Sequence, residues 1–101
     1  MLDTLEYLTV DGPDRSRDVI VYALSTCGFC KRAMAFLEGR GFRYRYLYMD
    51  KIPFETKAEA KKLLKERWKM DVAFPFAVVD GKEALVGFIE PDWKRVFGEQ
   101  A

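Results

Sequence analysis

The spacing of apolar and polar positions divides the chain into seven elements. Val19-Ile20-Val21-Tyr22-Ala23-Leu24 is an unbroken apolar run, the pattern of a strand buried on both faces. The polar pair Ser25-Thr26 and then Cys27-Gly28-Phe29-Cys30 follow as a loop, and Thr26 has the side chain to cap a helix that starts there. From about Gly28 to Glu38, Ala33, Met34, Phe36 and Leu37 give a helix an apolar side, and Gly39 and Gly41 stop it. Phe42 to Tyr48 alternates with period two and is rich in aromatics. This predicts a strand on which Tyr44, Tyr46 and Tyr48 share one face. Asp50 to Phe54 is a connector, with Pro53 where a helix start permits it. Glu55 to Met70 is a long charged helix with Leu63, Leu64 and Trp68 as its buried stripe. Phe76-Ala77-Val78-Val79 predicts a third strand, Asp80-Gly81 is a strong hairpin signal, and Glu83 to Gly87 supplies the partner strand. Pro91 opens a short last helix that runs to about Phe97.

The order β-α-β-α-β-β-α predicts an α/β fold, with a central four-stranded mixed sheet flanked by helices. Residues 1–17 read as a short N-terminal extension in which Leu2, Leu5 and Leu8 pack on the surface as a helical turn. Asp11-Gly12-Pro13-Asp14 is a turn that separates it from a single domain over residues 18–98. No internal repeat or low-complexity tract interrupts that domain.

Composition narrows the class. The chain has 101 residues, 50% hydrophobic and 33% charged, which suits one globular domain with one modest core. No apolar run approaches the roughly 20 residues of a membrane helix. Met1 to Tyr7 holds Asp3 and Glu6 and no basic residue, unlike a secretory signal. The expectation is a cytoplasmic monomer with no membrane partner. A net charge of +1 leaves no nucleic-acid footprint. The charge is uneven, however: residues 1–18 carry five acids against Arg15 and Arg17. The second long helix carries Lys57, Lys61, Lys62, Lys65, Arg67 and Lys69 among Glu55, Glu59 and Glu66. That is the pattern of a solvated face with i,i+4 pairs, or of a surface that steers an acidic partner.

There are two cysteines and no histidine. This excludes Ser–His and Cys–His nucleophile pairs and histidine metal sites, and no bound metal is expected. What remains is the chemistry of two thiols separated by two residues. On the first turn of a helix they approach closely enough to form a disulfide. Cys27 falls at the helix N-terminus, where unpaired N–H groups and the positive end of the dipole favour a thiolate. Lys31 and Arg32 add positive charge one turn on. Such settings lower a thiol pKa from about 8.5 to roughly 3.5–7.5, and the thiolate is the form that attacks a disulfide. Cys30 lies further into the helix, is expected to be more buried with a higher pKa, and suits the resolving role. Phe29, exposed beside the nucleophile, is a candidate docking contact.

Val19-Ile20-Val21-Tyr22 leading to Cys27-Gly28-Phe29-Cys30, then Lys31-Arg32-Ala33, Phe74-Pro75 before a strand, Asp80-Gly81 and Gly87-Phe88 form an ordered set. Over residues 18–98 the chain resembles the glutaredoxins, including the NrdH-type redoxins that donate electrons to ribonucleotide reductase. The resemblance implies a thioredoxin fold. It implies that Pro75 is cis and sits beside the cysteines, and that the backbone of Phe74 pairs with an incoming peptide or with glutathione. Gly87 and Glu90 fall where the family meets the glutamyl end of glutathione. Here the chain departs from the family. Leu24 stands where many members have Lys or Arg, Ala73-Phe74-Pro75 replaces Thr-Val-Pro, Val86-Gly87 replaces Gly-Gly, and Glu90 replaces Asp. Weak dependence on glutathione is therefore expected. The implied activity is dithiol–disulfide exchange on protein disulfides or glutathione mixed disulfides, with no tightly bound cofactor. Electrons would come from glutathione as a co-substrate or from a thioredoxin-reductase-type flavoenzyme. The alternative is a dimeric carrier of a glutathione-ligated iron–sulfur cluster. Gly28-Phe29 also occurs in single-cysteine members that hold such clusters, and a cluster needs four thiolates. Retention of Cys30 favours the dithiol reading.

Overall fold

The apolar run at residues 19–24 becomes the middle of the sheet. The computed structural model describes residues 1–98. Its elements are β1 (Leu8–Val10), β2 (Val19–Ala23), α1 (Gly28–Gly39), β3 (Tyr44–Tyr48), α2 (Phe54–Trp68), β4 (Phe76–Val79), β5 (Glu83–Val86) and α3 (Glu90–Phe97). Single 3-10 turns occupy Leu2–Thr4 and Met49–Lys51. The strands lie in the order β1-β3-β2-β4-β5. β2 and β3 are parallel, as a crossover through α1 demands,, and the other three pairings are antiparallel.

The sheet is thioredoxin-like with five strands, where the sequence pattern predicted four. The additional strand comes from the segment read as an extension. Leu8, Thr9 and Val10 pair with Tyr46, Arg45 and Tyr44. A three-residue edge strand is too short to show alternation, and its pairing depends on a partner 36 positions along the chain. Leu2, Leu5 and Tyr7 pack onto the sheet just before it, and the Tyr7 hydroxyl lies 2.9 Å from that of Tyr22.

Both faces of the sheet are covered, because side chains alternate along each strand. Val19, Val21 and Ala23 of β2, Ala77 and Val79 of β4, and the tyrosines of β3 face α1 and α3. There they meet Ala33 and Leu37 of α1 and Trp93 and Phe97 of α3. Tyr22, Leu47 and Phe76 point the other way, onto Ala60 and Leu64 of α2. Leu64 is the fully buried member of the predicted α2 stripe; Leu63 and Trp68 are half-buried. The hairpin signal is met in detail. Asp80 and Gly81 have φ of 56° and 63°, the left-handed pair that a two-residue turn requires, and Lys82 N–H closes it on Val79 C=O at 3.0 Å.

Asp80 also anchors the start of β2. Its carboxylate accepts the Asp18 N–H and the Arg17 Nε–H, each at 2.8 Å. These bonds, the Asp18 one foremost, hold the carboxyl below the ordinary value of 3.8. A depressed folded-state pKa stabilises the fold above the unfolded value, and the contribution disappears as pH falls through the folded one. Asp80→Asn keeps a residue that tolerates the left-handed conformation. It is expected to flatten the loss of stability below about pH 4, measured by denaturant unfolding from pH 5 to pH 2.

Gly12 is held by space. A Cβ there would meet Gly41 O at 2.5 Å and Phe42 C and O at 2.9 Å, where the chain crosses the turn after α1. Because the obstructing atoms are backbone, they cannot rotate away. Gly12→Ala is expected to cost about 2 kcal/mol, in the range of overpacking changes, read as a lowered Tm.

Candidate active site

The register decides which loops meet. Ala23 pairs with Tyr48, Tyr22 with Phe76, and Phe76 with Val86. One end of the sheet therefore collects the loop after β2, the turn after β3, the loop before β4 and the loop after β5. Those loops carry Cys27, Asp50, Phe74-Pro75 and Gly87 respectively.

Cys27 itself is the N-cap of α1, with extended φ of −90° and ψ of 117°. Its Sγ accepts the backbone N–H of Cys30 at 3.1 Å. Thr26 does not cap the helix, contrary to the sequence reading. It lies exposed in the turn that Cys27 N–H closes onto Leu24 C=O, so the capping position falls one residue later. The sulfur performs the task that the hydroxyl was expected to perform. Cys27 is half-buried and Cys30 fully buried, and both thiols are free. Burial foremost, and then its hydrogen bond with Cys27, pushes the Cys30 thiol up to about 12. The two residues thus differ in setting: Cys27 is half-buried with its sulfur bonded to a backbone N–H, and Cys30 is enclosed.

Phe29 is 59% exposed, and the Arg32 guanidinium lies 5.2 Å from its ring centroid. This contact leaves an aromatic surface exposed two residues after Cys27. Lys31 is exposed one residue after Cys30. The Phe74–Pro75 peptide bond is cis, and Pro75 is buried. Phe74 and Cys27 pack against the same core cluster. Gly87 N–H donates to Pro75 C=O at 2.8 Å, and Gly87 C=O accepts Trp93 Nε1–H at 3.0 Å. Glu90, at the start of α3, is exposed and paired with Lys94 at 3.3 Å. Leu24 packs into the core on the α2 side, so no cation stands at that position.

Two contacts were not legible in the sequence. The Ser25 N–H and hydroxyl both donate to the Asp50 carboxylate, which holds that carboxyl below the usual carboxylate range. This clamp ties the lead-in to Cys27 onto the turn after β3. Only the pairing of Ala23 with Tyr48 places residue 25 beside residue 50. The Trp93–Gly87 bond likewise depends on how α3 returns over the sheet. Among the described residues, no group of three or more His, Cys, Asp or Glu could hold a metal ion, and no helix is long and apolar enough to cross a membrane.

A sheet of this order, with a dithiol on the first turn of α1 and a cis proline opening β4, defines a thioredoxin-like protein. Within that class the glutaredoxin family model matches residues 19–83, and the chain belongs to the glutaredoxin family. The family's general activity is thiol–disulfide exchange. The chain is similar to the glutaredoxin of Methanosarcina mazei Go1, with 29% identity and a TM-score of 0.76 over 91% of this chain and 87% of that one. It is similar to the methanoredoxin of Methanosarcina acetivorans, at 30% identity and a TM-score of 0.69 over 80% and 84% of the two chains. The glutaredoxin grx-1 of Archaeoglobus fulgidus follows at 27% and 0.67, over 77% and 83%. No curated protein matches the chain.

Proposed function

We propose that the protein is a dithiol–disulfide oxidoreductase of the reducing cytoplasm, acting on protein disulfides with Cys27 as nucleophile and Cys30 as resolving thiol. The observation that carries the reading is the asymmetry of the pair. The Cys30 N–H faces the Sγ of the half-buried Cys27 at 3.1 Å, while Cys30 is wholly enclosed.

In the first step the Cys27 thiolate attacks one sulfur of the substrate. A Cys27–substrate disulfide forms, and the other substrate sulfur leaves as a thiolate. Cys30 then gives up its proton and attacks Cys27. This forms the Cys27–Cys30 disulfide and releases the second substrate thiol. Two electrons and the Cys30 proton have passed to the substrate, which leaves as one thiolate and one thiol. A two-electron donor, either a pair of glutathiones or a reduced flavoenzyme with its own dithiol, restores the thiols. The first step uses backbone at both ends: the Cys30 N–H supports the sulfur of Cys27, and the Phe74 backbone beside Pro75 aligns the incoming chain.

The apolar Leu24 and the Val86-Gly87 pair support a flavoenzyme donor over glutathione, because Leu24 offers no charge to a carboxylate and Val86 adds a branched side chain where the family has glycine. Insulin reduction driven by thioredoxin reductase is expected to exceed that driven by glutathione with its reductase. Cys27→Ser is expected to reduce both to background. Undiminished turnover by that variant refutes the assignment of the nucleophile, and the reverse order of the donors refutes the reading of Leu24 and Val86.

A further inference from the structure

A groove of about 260 Å³ runs from the dithiol end of the molecule along α1. One wall is a single helix face, with Lys31, Met34 and Glu38 among its residues. These positions recur at the i, i+3, i+7 spacing of one stripe. The other wall is the face of β3 that carries Tyr44, Tyr46 and Tyr48. Their ring centroids are 6.1 Å and 5.1 Å apart along the strand. The two ends bear opposite charges. Lys31, at the near end, makes no ion pair among the described residues. Glu38, at the far end, accepts the Tyr44 hydroxyl with one carboxylate oxygen and is otherwise exposed. That hydrogen bond fixes the carboxylate against the aromatic wall.

From this geometry we infer that the groove holds an extended segment of the substrate polypeptide, with an acidic side chain near the substrate cysteine and a basic side chain three residues away. The inference rests on the redox reading above and names the substrate class for the same site. Three features support it. First, seven helical residues separate Lys31 from Glu38, about 10 Å at a rise of about 1.5 Å per residue. Three residues of extended chain cover the same span at about 3.3 Å each. Second, β3 and β4 flank β2 on opposite sides, and the dithiol loop follows β2. The Phe74-Pro75 backbone therefore serves one flank of a substrate cysteine, and the groove is placed to serve the other. Third, tyrosines offer broad contact area at low entropic cost, together with hydroxyls that can meet peptide groups.

The test uses mixed disulfides between thionitrobenzoate and isomeric cysteine peptides. Each peptide carries one acidic and one basic side chain three residues apart, with either charge nearer the cysteine and with the pair on either side of it, to cover both chain polarities. Attack of Cys27 on the peptide sulfur expels thionitrobenzoate, the lower-pKa thiol, and its colour is followed. The wild-type protein is expected to prefer the acid-near peptides of one polarity over their acid-far isomers by about 3- to 10-fold in kcat/KM, the scale of two exposed charge contacts. The ratio is expected to shrink as salt is added. The double variant Lys31→Glu, Glu38→Lys is expected to invert it. The single variant Lys31→Glu leaves the Tyr44–Glu38 bond in place and is expected to abolish the preference without inverting it. Equal rates for all peptides with wild type, or a preference unchanged by both variants, overturns the groove and leaves the redox reading standing. Wild-type release no faster than that of Cys27→Ser overturns both.

Discussion

Cys30→Ser is expected to arrest the protein as a covalent complex with its substrate. In the proposed cycle the first step requires Cys27 and the backbone N–H of residue 30, and serine supplies that N–H as well as cysteine does. The second step requires a sulfur at residue 30, and serine has none. In a protein disulfide assay without added monothiol, the first exchange should proceed within a few-fold of the wild-type rate while turnover falls to background. Intact mass should increase by one substrate chain, and dithiothreitol should remove it. The enclosed position of residue 30 sharpens the result. The wild-type thiol is held neutral by burial, so it does not compete with Cys27 for the incoming disulfide. In the proposed cycle it acts only once Cys27 is joined to the substrate, when attack is intramolecular and favoured by proximity. Wild-type turnover by the serine variant under these conditions would show that a second thiol is not needed, and the dithiol cycle would fail.

What the sequence disclosed follows the range over which each signal acts. The hairpin was legible because its cause is local: two adjacent residues, Asp80 and Gly81, adopt left-handed conformations that one of them favours and the other tolerates,. The dithiol was legible for the same reason, since two intervening residues and a helix start fix its geometry. The strand face of Tyr44, Tyr46 and Tyr48 could be read from period two, although its opposing face, where Leu47 meets α2, was not assigned. By contrast, β1 is defined by its neighbour. Leu8-Thr9-Val10 has no pattern of its own and becomes a strand because β3 offers it an edge. The Ser25–Asp50 clamp exists only once β2 and β3 are in register. The placement of the helix cap at Cys27 rather than Thr26 turned on one residue of loop geometry. The sulfur's reach to the Cys30 N–H resolved a choice that residue preference alone placed with the hydroxyl.

The second large effect lies away from the sulfurs. Trp93 has no exposed surface and sits among Phe36, Phe88 and Phe97, with ring centroids 5.3–6.0 Å away. Trp93→Ala removes this packing and leaves a cavity, which typically costs 3–5 kcal/mol. A domain of this size has only about 5–15 kcal/mol in reserve, so a Tm lower by at least about 12 °C is expected in thermal unfolding. The same residue reaches the active site through its Nε1–H, which donates to Gly87 C=O, while Gly87 N–H donates to Pro75 C=O. Trp93→Phe separates the two roles, because it keeps most of the ring packing and removes the donor. Its stability cost should be about 2 kcal/mol, from one lost hydrogen bond and a smaller ring in a buried site. Its kinetic signature should be a raised KM for a protein disulfide at a temperature where the variant is fully folded. In the proposed cycle the loops at Gly87 and Pro75 align the substrate chain and Cys27 performs the exchange, so the rate of Cys27 alkylation by a small reagent should stay near that of wild type. If alkylation slowed in parallel with the rise in KM, Trp93 would be acting on the nucleophile's helix and not on the substrate-facing loops.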